Sequence, residues 1–99
     1  GLDLDSRHDA IRDATWSVSV QHAGAADILG AAIDAADRKA ARSEPGYDRH
    51  LAEAIYKART DYVLEVASKK RKPGERDQLI SITRNRFPTE LAACLKMFD

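Results

Sequence analysis

Hydrophobic residues recur at helical spacing along most of the chain, and the pattern is clearest around residues 14–26, which include no Asp, Glu, Lys or Arg. Charged residues make up 32% of the chain, so a stretch without them is expected to be buried. On a helix of about 3.6 residues per turn, Val18 and His22 fall on one side, with Trp16 and Val20 almost opposite. The pattern therefore predicts a central helix that packs on both faces.

The ends of this helix are indicated by capping residues. Ser6 is the expected N-cap, and Asp9, three positions later, completes a short version of the capping box. Gly24 is the flexible residue expected just past a helix end. The helix is therefore expected to run from about residue 7 to residue 21 or 22.

Further helices are expected at the same periodicity, which makes about five in all. They are a helix over residues 25–42, a helix capped by Asp48 with a stripe of Leu51, Ala54, Ile55, Ala58 and Tyr62, a helix from residue 75 to about 86, and a last helix over residues 89–97 with Leu91, Cys94, Leu95 and Phe98 on one face. The third helix either continues through Val63 and Val66 or kinks near Thr60.

Glycine and proline mark the expected breaks and close contacts. Pro73 and Gly74 follow four consecutive basic residues, 69–72, and predict an exposed loop. Pro88 disfavours helical geometry in the residue before it and predicts a break before the last helix. Gly30 lies among alanines and predicts a close approach of the second helix to a neighbour.

Composition limits the class of protein. Ninety-nine residues form one domain with a single core, and 43% hydrophobic but only 6% aromatic residues favour an all-α fold. Sixteen basic and sixteen acidic residues cancel, so no overall field attracts nucleic acid or an anionic membrane. Leu2 and Leu4 stand at the start with nothing before them to pack on, which suggests a cut through a larger domain.

The central stretch also carries a family resemblance. Trp16 to His22 reads Trp-Ser-Val-Ser-Val-Gln-His, and it resembles the Trp-Ser-x-x-Val-Gln-His-Gly signature of a lysozyme-like group of cell-wall hydrolases. Two further pieces fit in order: Ala54-Ile55-Tyr56 followed by Arg59, and Asn85-Arg86-Phe87 followed by Glu90. The chain departs from the pattern at Ala23, where the group has glycine; here Gly24 follows one place later.

The resemblance implies a function and a location. The group occurs as the hydrolase extension of type VI secretion spike proteins of the valine-glycine-repeat class, and in phage-type lysins. It implies a muramidase-like or chitosanase-like antibacterial effector that acts on peptidoglycan glycan strands, with this chain as the C-terminal helical part of a lysozyme-like α-lobe. The protein would be made in the cytoplasm without a signal peptide and sent by a dedicated system to the periplasm of a target cell. A cognate immunity protein would be its partner.

Substrate-lining candidates come from the central helix and from the second piece. Ser17 and Gln21 form a polar pair between the two apolar faces, and they need hydrogen-bond partners in the protein or in a bound sugar. Trp16 and Tyr56 are candidate aromatic platforms, although a single tryptophan is more often a core anchor. His22 is more often structural than a substrate contact, and the dipole at the helix end should favour its charged form.

No residue is assigned as the catalytic acid. Asp13, Glu44, Asp48 and Glu53 are acids near helix ends or loops, where caps and surface charges are commoner. In the group that the chain resembles, the catalytic glutamate lies upstream of the Trp-Ser motif, which would place it before Gly1, so this segment alone would be inactive.

Other reactive groups are expected to be structural. Arg86 and Glu90 are expected to form an ion pair that ties the last two helices together, and Cys94 is expected to be a small buried apolar residue. No cofactor is expected, and neither is a metal, because no other Cys or acid stands at ligand spacing from a histidine.

A non-enzymatic helical module, an adaptor or a nucleic-acid-binding bundle, is the alternative function. The short chain, the absence of an assigned acid and the basic run at residues 69–72 favour it. The run lacks interleaved aromatic residues and the net charge is zero, so nucleic acid ranks low.

Overall fold

The computed structural model describes residues 3–98. Its elements are a 3-10 turn at Leu4–Ser6 and the helices α1 (Asp9–Gln21), α2 (Ala25–Lys39), α3 (Tyr47–Ser68), α4 (Pro73–Ser81) and α5 (Phe87–Lys96), with a π-helical segment, Ile82–Arg86, between α4 and α5. The predicted all-α fold is confirmed. None of the described helices combines the length and the apolar character needed to cross a membrane.

The core forms where α1, α2 and α5 pack on the long helix α3. The side chains of Ile11, Val18, Leu51 and Ile55 are completely buried there. Ala32 and Ala36 of α2 are also buried, and their small side chains allow close contact between α2 and α3. Gly30 takes no part in this contact, because an added Cβ there would meet nothing within 4 Å; the prediction for Gly30 is wrong.

Helix α1 begins two residues later than expected. His8 is its N-cap, with an extended backbone and with Nδ1 accepting a hydrogen bond from the Ala10 amide at 3.0 Å. Ser6 is not the cap, because its hydroxyl donates to the Asp3 carbonyl at 2.9 Å within the 3-10 turn. The imidazole supplies the acceptor that a serine or aspartate oxygen usually provides at this position.

Only one face of α1 is buried, so the prediction of two packed faces is wrong. Ala10, Ile11, Ala14 and Val18 face the core. On the other side the exposed fractions of Trp16 and Val20 are 70% and 62%. Trp16 is therefore not a core anchor, and the charge-free stretch is half core and half surface.

Gly24 is required by a close contact. Its φ is −87°, so no left-handed conformation is involved. An added Cβ would lie 2.6 Å from Cε2 of Tyr62, whose ring packs edge-on against His22 at 5.5 Å. The glycine lets the chain turn from α1 into α2 directly against α3.

Of the two alternatives for α3, a kink near Thr60 or a continuous helix, the structure shows the second. The helix continues through Val63 and Val66 to Ser68. It begins at Tyr47 after Gly46 rather than with Asp48 as its cap. Helix α2 ends at Lys39, three residues earlier than expected. The basic residues after α3 are exposed, but Pro73 and Gly74 already belong to α4, where proline suits the first turn.

The last elements form one continuous helical rod, so the described chain contains four rods rather than about five. The prediction of a break at Pro88 is wrong. In the π-helical segment the Phe87 amide donates to the carbonyl of Ile82, five residues back. Pro88 follows as an early residue of α5, where its missing N–H has little effect. The wider turn thus lets the rod continue past a proline.

Asp48 joins the start of the chain to α3. Its Oδ1 accepts bonds from Arg7 Nε at 2.8 Å and Nη2 at 2.5 Å, and its Oδ2 accepts from the His8 amide at 3.1 Å. The guanidinium also lies over the Tyr47 ring at 5.0 Å and donates to the Arg42 carbonyl at 3.0 Å. Both charged side chains are mostly buried, so this pair is expected to matter more than a surface ion pair.

Replacing Asp48 by Ala is expected to lower the free energy of unfolding by about 2 kcal/mol, since it removes charge-assisted hydrogen bonds from a partly buried guanidinium. Urea denaturation followed by circular dichroism at 222 nm measures the change. Asp9→Ala is the matched control, because Asp9 pairs with Arg12 only at 3.5 Å on an exposed face. Equal effects of the two changes would contradict this role of Asp48.

Candidate functional site

A completely buried arginine, Arg59, lies at the centre of the bundle on α3. Its exposed fraction is 0%. Removing a guanidinium from water is costly unless its N–H groups find partners. Burial lowers the pKa of Arg59, and the neighbouring Glu90 carboxylate opposes that effect. The buried guanidinium of Arg59 therefore needs hydrogen-bond acceptors around it.

Three acceptors surround the guanidinium, and they come from both ends of the sequence. Arg59 Nε donates to His22 Nε2 at 2.8 Å, and its Nη1 donates to Glu90 Oε2 at 3.3 Å. Its Nη2 donates to Gln21 Oε1. Arg59 thus ties the last turn of α1 to α5 through α3. The partner that the Gln21 amide was predicted to need is this internal cation.

Aromatic rings and a second arginine complete the cluster. The guanidinium carbon of Arg59 lies 4.4 Å from the centroid of the Phe87 ring and 5.7 Å from that of Tyr56. Arg86 Nε donates to Glu90 Oε1 at 2.7 Å, which confirms the predicted ion pair. The Glu90 carboxylate therefore accepts from two guanidinium groups at once. Arg86 and Glu90 lie on one continuous rod, so the pair does not tie two helices together as predicted. We call Gln21, His22, Arg59, Phe87 and Glu90 the Arg59 cluster.

His22 is neutral in this cluster. Because Nε2 accepts from Arg59, the ring proton lies on Nδ1. Desolvation, followed by the charges of Arg59 and Arg86, lowers the pKa of His22 from its ordinary 6.5. The prediction that the helix dipole favours the charged form is wrong, since burial and two nearby cations outweigh it.

A groove of about 500 Å³ opens beside the cluster, and we call it the Gln21 groove. One end is polar, with Gln21, His22 and Arg86. The floor is apolar, with side chains from the second half of α3, from α4, from the π-helical segment and from the start of α5: Val63, Val66, Leu79, Ile82 and Phe87. N–H donors above an apolar floor suit a ligand that offers acceptor oxygens and an apolar face, as an N-acetylated sugar does.

The five predicted substrate-lining residues do not all meet. Gln21 and His22 lie together in the Gln21 groove, whereas Ser17 is partly buried one turn earlier on α1 and does not line it. Trp16 faces a different groove on the outer side of α1. Tyr56 is only 7% exposed, and burial followed by the charge of Glu90 raises its pKa to about 12. It cannot offer an open ring face to a sugar.

The acids considered in the sequence do not line the Gln21 groove. The ten described residues that line the Gln21 groove include no Asp or Glu. Asp13, Glu44 and Glu53 are exposed, Asp48 binds Arg7, and Glu90 binds two arginines. Glu53 lines a separate groove of about 900 Å³ between α2, α3 and α5. Proton donation by a carboxyl normally needs a partly dry pocket next to the scissile bond, and the described lining of the Gln21 groove supplies no carboxyl for it.

Nucleophilic and metal chemistry find little support among the described side chains. Cys94 is buried as predicted, and desolvation raises its pKa, with a smaller effect from Asp13; a thiol in this state is a poor nucleophile. No group of three or more described His, Cys, Asp or Glu side chains could hold a metal ion.

The sequence pattern did not single out Arg59 as the centre of the site. In the predicted stripe of α3, Leu51 and Ile55 are completely buried, whereas Ala54, Ala58 and Tyr62 are only partly buried. The fully buried face is turned towards Ala52, Tyr56, Arg59 and Val63. The available signal was the spacing, since Arg59 stands four residues after Ile55 and four before Val63, inside an apolar pattern.

Replacing Arg59 by Lys is expected to lower the free energy of unfolding by about 3 kcal/mol, because one ammonium cannot donate to three acceptors in the same plane. Chemical denaturation measures the loss. Arg38→Lys, on the exposed side of α2, is the control and should stay within about 0.5 kcal/mol of the parent. A change of that small size at Arg59 would rule out a central role.

The stability of the protein is expected to fall as pH is lowered through 6.5. The unfolded chain then takes up a proton on His22, while the folded state, whose His22 pKa is lower, resists it. His22→Gln keeps an acceptor for Arg59 and should flatten the pH dependence of the urea midpoint, whereas His50→Gln should leave it unchanged.

Asp37 does not interfere in that range, because hydrogen bonds from Arg42 and Tyr47 hold its pKa at about 2. An identical pH profile for the parent and for His22→Gln would contradict the proposed neutral state of His22.

Known proteins give no match to this chain. No model of a known protein family matches the chain. No curated protein and no solved structure matches it either.

Proposed function

We propose that this chain is the C-terminal helical part of a lysozyme-like, peptidoglycan-degrading glycoside hydrolase, and that the Gln21 groove holds the glycan strand. The observation that supports it is the Arg59 cluster. The residues that carry the sequence resemblance come from three separate pieces of the chain, and they contact one another: Gln21 and His22, Arg59, and Phe87 with Glu90.

These contacts let the residues of the sequence resemblance act together on a ligand. Arg59 fixes the side chains of Gln21 and His22 at the rim of the groove, so their remaining N–H groups are oriented in advance for a ligand. Sugar hydroxyl and N-acetyl oxygens accept such bonds, and the apolar floor can contact the C–H face of a sugar ring. A glycan strand therefore offers acceptors to the N–H groups at the polar end and an apolar face to the floor.

The general acid would come from a segment of the parent protein outside residues 3–98. None of the described acids lines the groove, and the carboxylate of the cluster itself, Glu90, is already bound by Arg59 and Arg86. In this proposal the described chain binds and orients the glycan, and a carboxyl supplied by another segment protonates the glycosidic oxygen. Delivery to a target periplasm and an immunity partner belong to the same proposal.

The proposal predicts that the 99-residue chain binds purified peptidoglycan sacculi but releases no muropeptides, and that the same chain with its natural upstream segment releases them. Co-sedimentation measures binding, and chromatography of soluble muropeptides measures cleavage. Gln21→Glu keeps an acceptor for Arg59 but removes the amide donor, and it should lower both binding and release about fivefold, as expected for one hydrogen bond.

The control is Gln78→Glu, an equal change at an exposed position of α4 that lies outside the groove, and it should act like the parent. Cleavage confined to amide bonds, or no cleavage by the longer protein, would exclude a glycosidase. Equal loss in the two variants would exclude the Gln21 groove as the binding site.

A non-enzymatic interaction module is the second candidate. It is favoured by the exposed basic residues 69–72 and by the lack of an acid in the Gln21 groove. Binding of duplex DNA that weakens with salt and disappears when Lys69, Lys70, Arg71 and Lys72 are neutralised would support it. Sacculus binding that survives the same neutralisation would favour the hydrolase.

A further inference from the structure

The outer face of α1 carries a second groove that the Arg59 cluster does not use. Residues at helical spacing along that face line it, together with one residue after α5: Asp9, Arg12, Asp13, Thr15, Trp16, Ser19 and Met97. Its volume is about 550 Å³, enough for one or two sugar rings. It shares no residue with the Gln21 groove.

Trp16 dominates this groove and contributes little to the fold. Its side chain is 70% exposed, whereas a buried aromatic residue would give a small domain one of its larger hydrophobic contributions. Met97, 42% exposed, flanks the groove. A large flat ring left in water offers a surface on which another flat or apolar face can stack.

The rest of the lining is polar, which narrows the class of ligand. Five of the seven lining residues carry a charge or a hydroxyl group. Arg12 contacts Asp9 at 3.5 Å, with both side chains largely exposed, and Asp13 is exposed beside them. The Oγ1 atom of Thr15 is buried without a hydrogen-bond partner among the described residues.

A carbohydrate fits this combination better than an apolar helix does. Charged side chains and hydroxyls can exchange their water for the hydroxyl groups of a sugar, while the indole covers its C–H face. An apolar partner would instead leave Asp13 and Arg12 desolvated without compensation. The Thr15 hydroxyl, after rotation about its Cα–Cβ bond, could serve as one more donor at the floor of the groove.

We propose that the Trp16 groove is a second carbohydrate contact, which holds a neutral N-acetylated sugar chain by stacking on the indole and by hydrogen bonds to Asp13 and Ser19. The choice of sugar as ligand rests on the proposed function. The Trp16 groove and the Gln21 groove lie on different faces of α1. A strand held in the Trp16 groove would therefore not touch the Gln21 groove.

The experiment uses Trp16 as its own reporter, because it is the only tryptophan in the chain. Titration with the tetramer of N-acetylglucosamine should shift the tryptophan emission to shorter wavelength and saturate, since the indole leaves water. Asp13→Ala should weaken this binding about fivefold, as expected for a lost hydrogen bond to a charged group. Maltotetraose, which lacks N-acetyl groups, should bind more weakly.

Two matched variants separate the alternatives. Val20→Ala removes an exposed apolar side chain from the same helix without touching the groove, and it should bind the tetramer like the parent. Gln21→Glu should also leave the emission change intact, because Gln21 lines the other groove.

Several outcomes would overturn the inference. An absence of any saturable emission change would do so, and so would an equal loss of binding in Val20→Ala and Asp13→Ala, which indicates an apolar docking face. An emission shift that depends on protein concentration without sugar would indicate self-association. Muropeptide release by the longer protein reports on the proposed function separately, since it can persist when Trp16 does not respond.

Discussion

A cation that cannot reach water imposes the arrangement of this bundle. The guanidinium of Arg59 is fully buried on α3, and its N–H groups must be paired for the folded state to be stable. The acceptors come from the last turn of α1 and from α5, so the positions of both helices relative to α3 are constrained together. The neutral state of His22 follows from the same constraint, because an imidazolium could not accept the bond from Arg59.

The periodicity of the sequence predicted what depends on neighbours along the chain. The all-α class, the helical stretches, the inward face of α5 and the Arg86–Glu90 pair all follow from residues three or four positions apart. Helix boundaries were less accurate, because caps depend on tertiary contacts. Asp48 looked like a cap, but Arg7, forty-one residues earlier, binds its carboxylate.

The errors about the interior have two physical causes. Charged residues are mostly solvent-exposed in folded proteins, so the residue type alone did not place Arg59 inside. It nevertheless stands on the most buried face of α3. The absence of charge over residues 14–26 predicted burial of that whole stretch, yet burial follows the face of a helix and not its average composition. Trp16 and Val18 differ by two positions and by about 200° around α1, which separates water from core. Trp16 and Gln21, five positions apart, differ by about 140° around α1 and line different grooves.

The π-helical segment Ile82–Arg86 makes the site depend on how the backbone winds as well as on the sequence. An i→i+5 turn accommodates one residue more than an α-helical turn does. If the same five residues wound as ordinary α-helix, everything after them would rotate by about 100°. Phe87 and Glu90 would then leave Arg59, although all the members of the cluster are still encoded. A change in the backbone hydrogen-bond pattern would thus undo the cluster without altering any of its side chains.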